Sequence, residues 1–160
     1  MQTTKDIAEI FVNALESKQF TTDKTGCKTV EIIGASFLAD KPAIFGTPNK
    51  EYIKGDKEPP KAWQMTANIH GEINSNYGHL IYSPKFHCQY QQVLNELTYN
   101  IDSRRASMVY QRPSIWFEFD ENGKNDFICT NAVTYYIRNR ELHCVVQMRS
   151  NDVVFGYKND

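Results

Sequence analysis

Residues 129–160 contain a thiol, a guanidinium and a carboxylate that together could perform chemistry on a nucleotide. Cys129 opens a β-rich run, Arg149 and Ser150 stand further along it, and Asp160 closes it. A thiolate is a strong nucleophile, an arginine fork matches a phosphate, and a carboxylate only accepts hydrogen bonds. The set suits addition of a nucleophile to the pyrimidine ring of a nucleotide.

Cys129 lies in an apolar strand pattern, where an isolated cysteine is more often a buried hydrophobe than a nucleophile, by roughly three to one. The context favours the nucleophile. The chain turns at 138–141 and returns to Arg149, and in a hairpin of this length the return strand passes beside the departing one. A guanidinium near a thiol favours the thiolate. The remaining cysteines lack such a cluster and are assigned to packing: Cys27, Cys88 and Cys144.

The elements that must position these residues change character along the chain. Apolar residues recur at helical spacing over 3–18 and again over 85–97. The sequence pattern predicts strands at 29–37, with Gly34 as a bulge, and at 107–111, 114–119, 128–137 and 142–148. Helices early and an antiparallel meander late predict an α+β fold with helices packed on a large, mostly antiparallel sheet. The length of 160 residues predicts a single domain over 1–160.

Composition restricts the partners. The net charge is −1, so no overall field recruits nucleic acid or an anionic membrane, and free nucleotides fit better than polymers. No basic, apolar leader and no membrane-length apolar run occurs, so a cytoplasmic location is expected. The four cysteines lack zinc spacing, and no metal is expected.

Six short motifs follow one another along the chain. They are DKTG (23–26), Trp63 in KAWQ, Tyr77 in NYG, Arg104-Arg105 in DSRR, Cys129, and RSND (149–152). In this order the chain resembles the thymidylate synthase family, and most closely its phage branch, the deoxycytidylate hydroxymethylases. The resemblance spans nearly the whole chain. It implies the thymidylate synthase-like fold and a homodimer whose interface is formed by the large sheet.

The resemblance also implies catalytic roles. The Cys129 thiolate adds to C6 of the pyrimidine, and the Tyr77 phenol joins the proton-transfer network at C5. Trp63 lies near the folate ring. Asp152 organises the ordered water and the folate side of the site, and so counts as both catalytic and cofactor-binding.

A third set of implied roles concerns the substrate phosphate. Arg149 and Ser150 bind the 5′-phosphate, and Lys24 adds a point charge from the DKTG loop. Arg104 and Arg105 reach across the dimer interface to the partner's phosphate. A double arginine taken alone is usually a solvated surface pair, roughly four times in five.

Asp160 stands where the family reads the base. A carboxylate repels O4 of uracil and accepts from the N4 amino group of cytosine. The resemblance therefore implies transfer of a one-carbon unit from 5,10-methylenetetrahydrofolate to C5 of deoxycytidylate, with water addition. Two alternatives stay open, namely thymidylate synthase-type methylation of deoxyuridylate and a catalytically degenerate nucleotide-binding homologue. A third hypothesis, a purely structural role in dimerisation, is weak, because such a role does not require so many polar site residues.

Two departures from the family pattern stand out. The family's proton-transfer Glu has no aligned counterpart. Asp56 or Glu58 could approach the site from the loop at 49–61, although the favoured interpretation of both is an exposed loop acid. The chain stops at Asp160, which is typical of a shortened homologue, a gene fragment or an excised version. We expect these 160 residues alone to bind deoxycytidylate weakly and to turn over little.

Overall fold

A computed structural model describes residues 1–39, 65–119 and 123–151. The chain divides into two compact units, Met1–Lys57 and Glu58–Asp160. The described residues form both helices and antiparallel strands, so the predicted α+β class is confirmed. A single domain over 1–160 stays a prediction.

Helix α1 (Thr4–Glu16) dominates the first unit and begins where the sequence predicts. The Thr3 side chain accepts from the Asp6 N–H at 3.3 Å, and the Asp6 carboxylate accepts from the Thr3 N–H at 2.7 Å. These two bonds form a capping box that satisfies N–H groups at the helix start. Strand β1 (Gln2–Thr3) pairs in parallel with β4 (Phe37–Leu38).

The DKTG motif forms the loop of a short hairpin between β2 (Thr21–Thr22) and β3 (Lys28–Thr29). The Asp23 carboxylate accepts from the Thr25 and Cys27 N–H groups at 2.8 and 3.0 Å and so closes the loop. The predicted strand over 29–37, interrupted by a bulge at Gly34, is wrong, because only its first and last residues lie in strands, β3 and β4. Gly34 lies in a turn between β3 and β4 with φ of 74°, a conformation that glycine adopts without strain.

The described part of the second unit includes the helices α2 (Tyr77–Tyr82), α3 (Gln89–Tyr99) and α4 (Ile115–Glu118), and a 3₁₀ turn at Pro84–Phe86. The predicted helix over 85–97 is confirmed only from Gln89 onward. His87 and Cys88 have φ of 65° and 48°, left-handed values that interrupt a right-handed helix.

A strand over 114–119 is also wrong, because α4 occupies this segment. Arg112 precedes the helix and forms an ion pair with Glu118 at its end. This pair closes one helical turn that the apolar run Ile-Trp-Phe did not reveal.

The sheet of the second unit has the order β5 (Ser107–Val109), β6 (Thr130–Arg138) and β7 (Glu141–Met148), all antiparallel. These strands match the predictions at 107–111, 128–137 and 142–148. The turn between β6 and β7 consists of Asn139 and Arg140, with Arg138 opposite Glu141.

Helix α3 packs against β5 and β6 around one apolar core. The Gln89 side chain joins helix to sheet, because it accepts from the Val109 N–H at 2.7 Å and donates to the Val109 carbonyl at 3.0 Å. The core consists of Leu80, Val93, Ala106, Met108, Tyr110, Ile115, Ile128 and Val133. Among the described residues, no helix is both long and apolar enough to cross a membrane.

Candidate active site

The β6–β7 hairpin brings Cys129 and Arg149 together. Cys129 immediately precedes β6 and Arg149 immediately follows β7, so the two residues meet at the open end of the hairpin. The Arg149 N–H donates to the Cys129 carbonyl at 2.9 Å. This contact confirms the prediction that the returning strand passes beside Cys129.

The Arg149 guanidinium is held by backbone carbonyls beside the thiol. Its Nε donates to the Ile128 carbonyl at 2.8 Å, and its Nη2 donates to the Phe127 carbonyl at 3.3 Å. The same Nη2 lies 3.7 Å from Cys129 Sγ, and Cζ lies 5.3 Å from the centre of the Phe127 ring. A cation is therefore fixed next to the sulfur, and among the described residues its Nη1 has no hydrogen-bond partner.

Tyr77 contacts the same segment from α2. Its hydroxyl oxygen accepts from the backbone N–H groups of Cys129 and Thr130, at 3.3 and 3.2 Å. Its ring makes an edge contact with Tyr110 at 5.4 Å. Tyr77 thus reaches the backbone of the candidate nucleophile from an element 52 residues earlier in the chain.

A β-bulge follows Cys129. The register steps from Thr130 opposite Met148 to Ala132 opposite Gln147, which leaves Asn131 as the extra residue. The Asn131 carbonyl accepts from the N–H groups of Tyr110 and Gln111, both at 3.0 Å. A bulge bends a strand and re-aims its side chains, so the ladder is locally altered beside the thiol.

Asp126 and Asn74 are two positioning residues that the sequence reasoning missed. The Asp126 carboxylate accepts from the N–H groups of Asn74 and Ser75 at 2.8 and 2.6 Å. The Asn74 side chain donates to the carbonyls of Asp126 and Phe119 at 3.0 and 2.8 Å. These bonds join the loop before Tyr77 to the segment before Cys129, and the sequence signal for them was Asn74, two residues before the NYG motif.

The double arginine lies between α3 and β5. Arg104 is exposed, and Arg105 donates to Glu96 through Nε at 3.2 Å and Nη2 at 3.1 Å. Within the described ranges, no hydrogen bond or ion pair joins either arginine to the segment around Cys129. In this single chain they form a separate group.

The other predicted site residues are distributed as follows. Ser150 is exposed and directly follows Arg149, and Lys24 is exposed on the β2–β3 loop of the first unit. Trp63, Asp152 and Asp160 lie outside the described residues, as do Asp56 and Glu58. Among 1–39, 65–119 and 123–151, no three His, Cys, Asp or Glu side chains form a group that could hold a metal ion.

The other cysteines require a correction. Cys27 and Cys144 are exposed and Cys88 is partly buried, so the packing interpretation is wrong for the first two. Cys27 sits on a hairpin loop, and Cys144 lies on β7, the outer strand of the three-stranded sheet. Outer strands lack a neighbour on one side, so an apolar pattern there does not ensure burial.

A model of the thymidylate synthase family matches residues 44–160, and the chain belongs to this family. Deoxycytidylate 5-hydroxymethyltransferase of Enterobacteria phage T4 is 51% identical over 162 residues, covering 92% of this chain and 66% of the phage protein. The protein of the same name from Enterobacteria phage T2 gives the same values. The chain thus spans just under two thirds of the length of these relatives. A thermostable thymidylate synthase A from Bacillus subtilis superposes with a TM-score of 0.47 at 22% identity, over 68% of this chain and 38% of that one.

Proposed function

We propose that the chain acts on deoxycytidylate as a 5-hydroxymethyltransferase, transferring a one-carbon unit to C5 with addition of water. The contact between Arg149 and the Cys129 sulfur at 3.7 Å carries the proposal. A cation beside a thiol suits a site that binds an anionic nucleotide and attacks its ring. The name of the 51% identical phage proteins supports this choice of substrate and product.

The proposed steps assign one task to each residue. The Cys129 thiolate adds to C6, which makes C5 a carbon nucleophile. Arg149 and Ser150 bind the 5′-phosphate, and Lys24 is proposed as a further substrate-binding residue that adds a point charge. Tyr77 belongs to the network that removes the C5 proton.

Asp160 and Asp152 complete the proposed polar site. Asp160 accepts from the N4 amino group of cytosine and rejects uracil, because two facing acceptors repel each other. Asp152 orders the water that becomes the hydroxyl group of the product.

The co-substrate 5,10-methylenetetrahydrofolate supplies the one-carbon unit when bound. A flat pterin ring packs against aromatic side chains, and the described site contains such side chains. The Trp116 ring is 68% exposed and lies 5.2 Å from the Phe127 ring, which stacks on Arg149. Trp63 and Asp152 are the residues proposed to hold the folate.

The test is release of tritium from C5 of labelled deoxycytidylate in the presence of methylenetetrahydrofolate. We expect slow release from the 160-residue chain, no release from Cys129→Ala, and retained release from Cys144→Ala, a matched loss of an exposed thiol on the same hairpin. Binding of deoxycytidylate without release would favour a degenerate nucleotide-binding homologue. Release from deoxyuridylate in preference would favour the methylating alternative.

A further inference from the structure

The side chain of Arg105 is anchored on its own chain. The Glu96 carboxylate on α3 accepts from Arg105 Nε at 3.2 Å and from Nη2 at 3.1 and 3.3 Å. The Glu96 side chain is 24% exposed, whereas that of Arg105 is 78% exposed. The carboxylate is thus the sheltered member of the pair, and the guanidinium extends from it into solvent.

Ser103 fixes the carboxylate in turn. Its hydroxyl donates to Glu96 Oε1 at 2.6 Å and accepts from the Arg105 N–H at 3.0 Å, and the residue is 3% exposed. This hydroxyl therefore orients both the anchor and the backbone of the arginine. The Ser103 hydrogen bond, followed by the Arg105 guanidinium, holds the pKa of Glu96 below its usual range. The anchor is an anion at neutral pH.

The anchor uses only one edge of the guanidinium. An arginine has five N–H donors in a rigid fork, with one bidentate edge at Nε and Nη2 and another at Nη1 and Nη2. Glu96 occupies the Nε–Nη2 edge. Among the described residues, Arg105 Nη1 has no hydrogen-bond partner, so the outer edge is open and faces solvent.

We propose that Glu96 is a positioning residue that holds Arg105 with its outer edge presented to the phosphate of a nucleotide. This rests on the proposed function and on the role that the family resemblance implies for Arg105, which is contact with the phosphate bound by a second copy of the chain. Without such an anchor, a long exposed arginine loses side-chain rotamer freedom when it binds a phosphate. Glu96 and Ser103 order the side chain before the phosphate arrives, and the phosphate meets a fork that is already aligned.

The experiment compares the affinities of deoxycytidylate and deoxycytidine, which differ only by the phosphate, for the full chain by ligand-observed NMR titration. Glu96→Gln keeps the shape, but its amide N–H faces the guanidinium and the charged pair is lost. We expect the ratio of nucleotide to nucleoside affinity to fall by about 2- to 12-fold, the range for ordering one rotamer-rich side chain on binding. Affinity for the nucleoside should not change.

Two controls separate positioning from general structural support. Glu118→Gln breaks the comparable ion pair with Arg112 and should leave the affinity ratio unchanged. In an Arg105→Ala background, Glu96→Gln should lower the ratio no further, because it acts through Arg105. An additional, independent drop in that background would overturn the proposal.

Other outcomes are equally decisive. An unchanged ratio in Glu96→Gln means that Arg105 needs no anchor, and an increased ratio means that Glu96 competes with the phosphate. If Glu96→Gln does not fold, Ser103→Ala removes one hydrogen bond from the anchor and should shift the ratio in the same direction. A wild-type chain that binds deoxycytidylate no better than deoxycytidine contradicts the proposed function itself, and this proposal with it.

Discussion

Tyr77 shows how a single side chain fixes the backbone of the candidate nucleophile. Its oxygen accepts from two consecutive N–H groups, those of Cys129 and Thr130, directly before the bulge at Asn131. The Arg149 guanidinium donates hydrogen bonds to the carbonyls of Phe127 and Ile128, which directly precede Cys129. The backbone that carries the thiol is therefore held by two side chains, Tyr77 and Arg149.

Tyr77→Phe is expected to lower both stability and activity. Loss of the hydroxyl leaves two partly buried N–H groups without their partner, which costs about 1–3 kcal/mol in the free energy of unfolding. Urea denaturation measures this cost, and tritium release from C5 measures the loss of rate. Tyr82→Phe is the matched control, since that side chain is 59% exposed. Equal stability of the two variants would contradict a role for the Tyr77 hydroxyl in holding the Cys129 segment.

Asp160→Asn is expected to shift preference toward deoxyuridylate. The amide regains a donor for O4 of uracil, whereas the carboxylate offers acceptors alone. Relative kcat/KM for deoxycytidylate and deoxyuridylate measures the shift. Unchanged preference in this variant would remove Asp160 from the reading of the base.

At the scale of elements, the β6–β7 hairpin carries the candidate site on its open end, so its closed end affects the site through the register. Asn139 and Arg140 have φ of 52° and 63°, the positive values that a two-residue type I′ turn requires. Asparagine tolerates this conformation, but arginine adopts it at a cost.

Arg140→Gly should therefore stabilise the hairpin. Relief of the left-handed strain outweighs the entropy of glycine, and we expect a gain of about 0.5–1 kcal/mol in the free energy of unfolding. Urea denaturation measures the gain. Arg140→Ala removes the same charge without relieving the strain and should give no gain. A gain in both variants would assign the effect to the charge instead.

The buried Tyr110, which directly follows β5, predicts a pH dependence of stability. Burial, with smaller effects from Tyr135 and Cys144, raises the pKa of Tyr110 to about 12, whereas an unfolded tyrosine titrates near 10. The neutral phenol is favoured in the fold, so its stabilisation is complete below about pH 10 and is lost as the pH rises toward 12.

Stability should fall by about 1.4 kcal/mol per pH unit in this window for the Tyr110 phenol. Urea denaturation at about pH 10.5 and about pH 11.5, both inside this window, measures the slope. Tyr110→Phe should make the dependence shallower by that amount. An identical slope in the variant would show that the Tyr110 phenol does not titrate differently in the two states.

The strands around the site could be predicted from the sequence because their signals are local. Alternation over 130–137 and the Asn-Arg turn determine a hairpin, and a hairpin places Arg149 beside Cys129. The bonds between Asp126 and Asn74 could not be predicted, since they join residues 52 positions apart and depend on how α2 packs. Helix α4 was missed because its first three residues, Ile-Trp-Phe, suit a strand equally well, and the Arg112–Glu118 pair decides for the helix.

At the scale of the whole molecule, the proposed site needs residues from two copies of the chain. The second unit holds Cys129 with Tyr77 and Arg149 at the mouth of the hairpin, while Arg105 presents its open edge from the loop before β5. The outer strand β7 exposes Leu142, Val145 and Val146. Apolar residues on a sheet are suited to packing against a second sheet, which is consistent with the proposed homodimer.

The shared phosphate site predicts complementation between two inactive chains. In a mixture of Arg105→Ala and Cys129→Ala chains, a heterodimer contains one site that has both the thiol of one chain and the arginine of the other. We expect each variant alone to release little tritium from C5 of deoxycytidylate, and the co-refolded mixture to regain part of the wild-type rate. A mixture of Arg149→Ala and Cys129→Ala is the control and should stay inactive, because Arg149 contacts the thiol of its own chain at 3.7 Å. Recovery in the control, no recovery in the test mixture, or an active wild-type chain that sediments as a monomer would rule out a phosphate site shared between two chains.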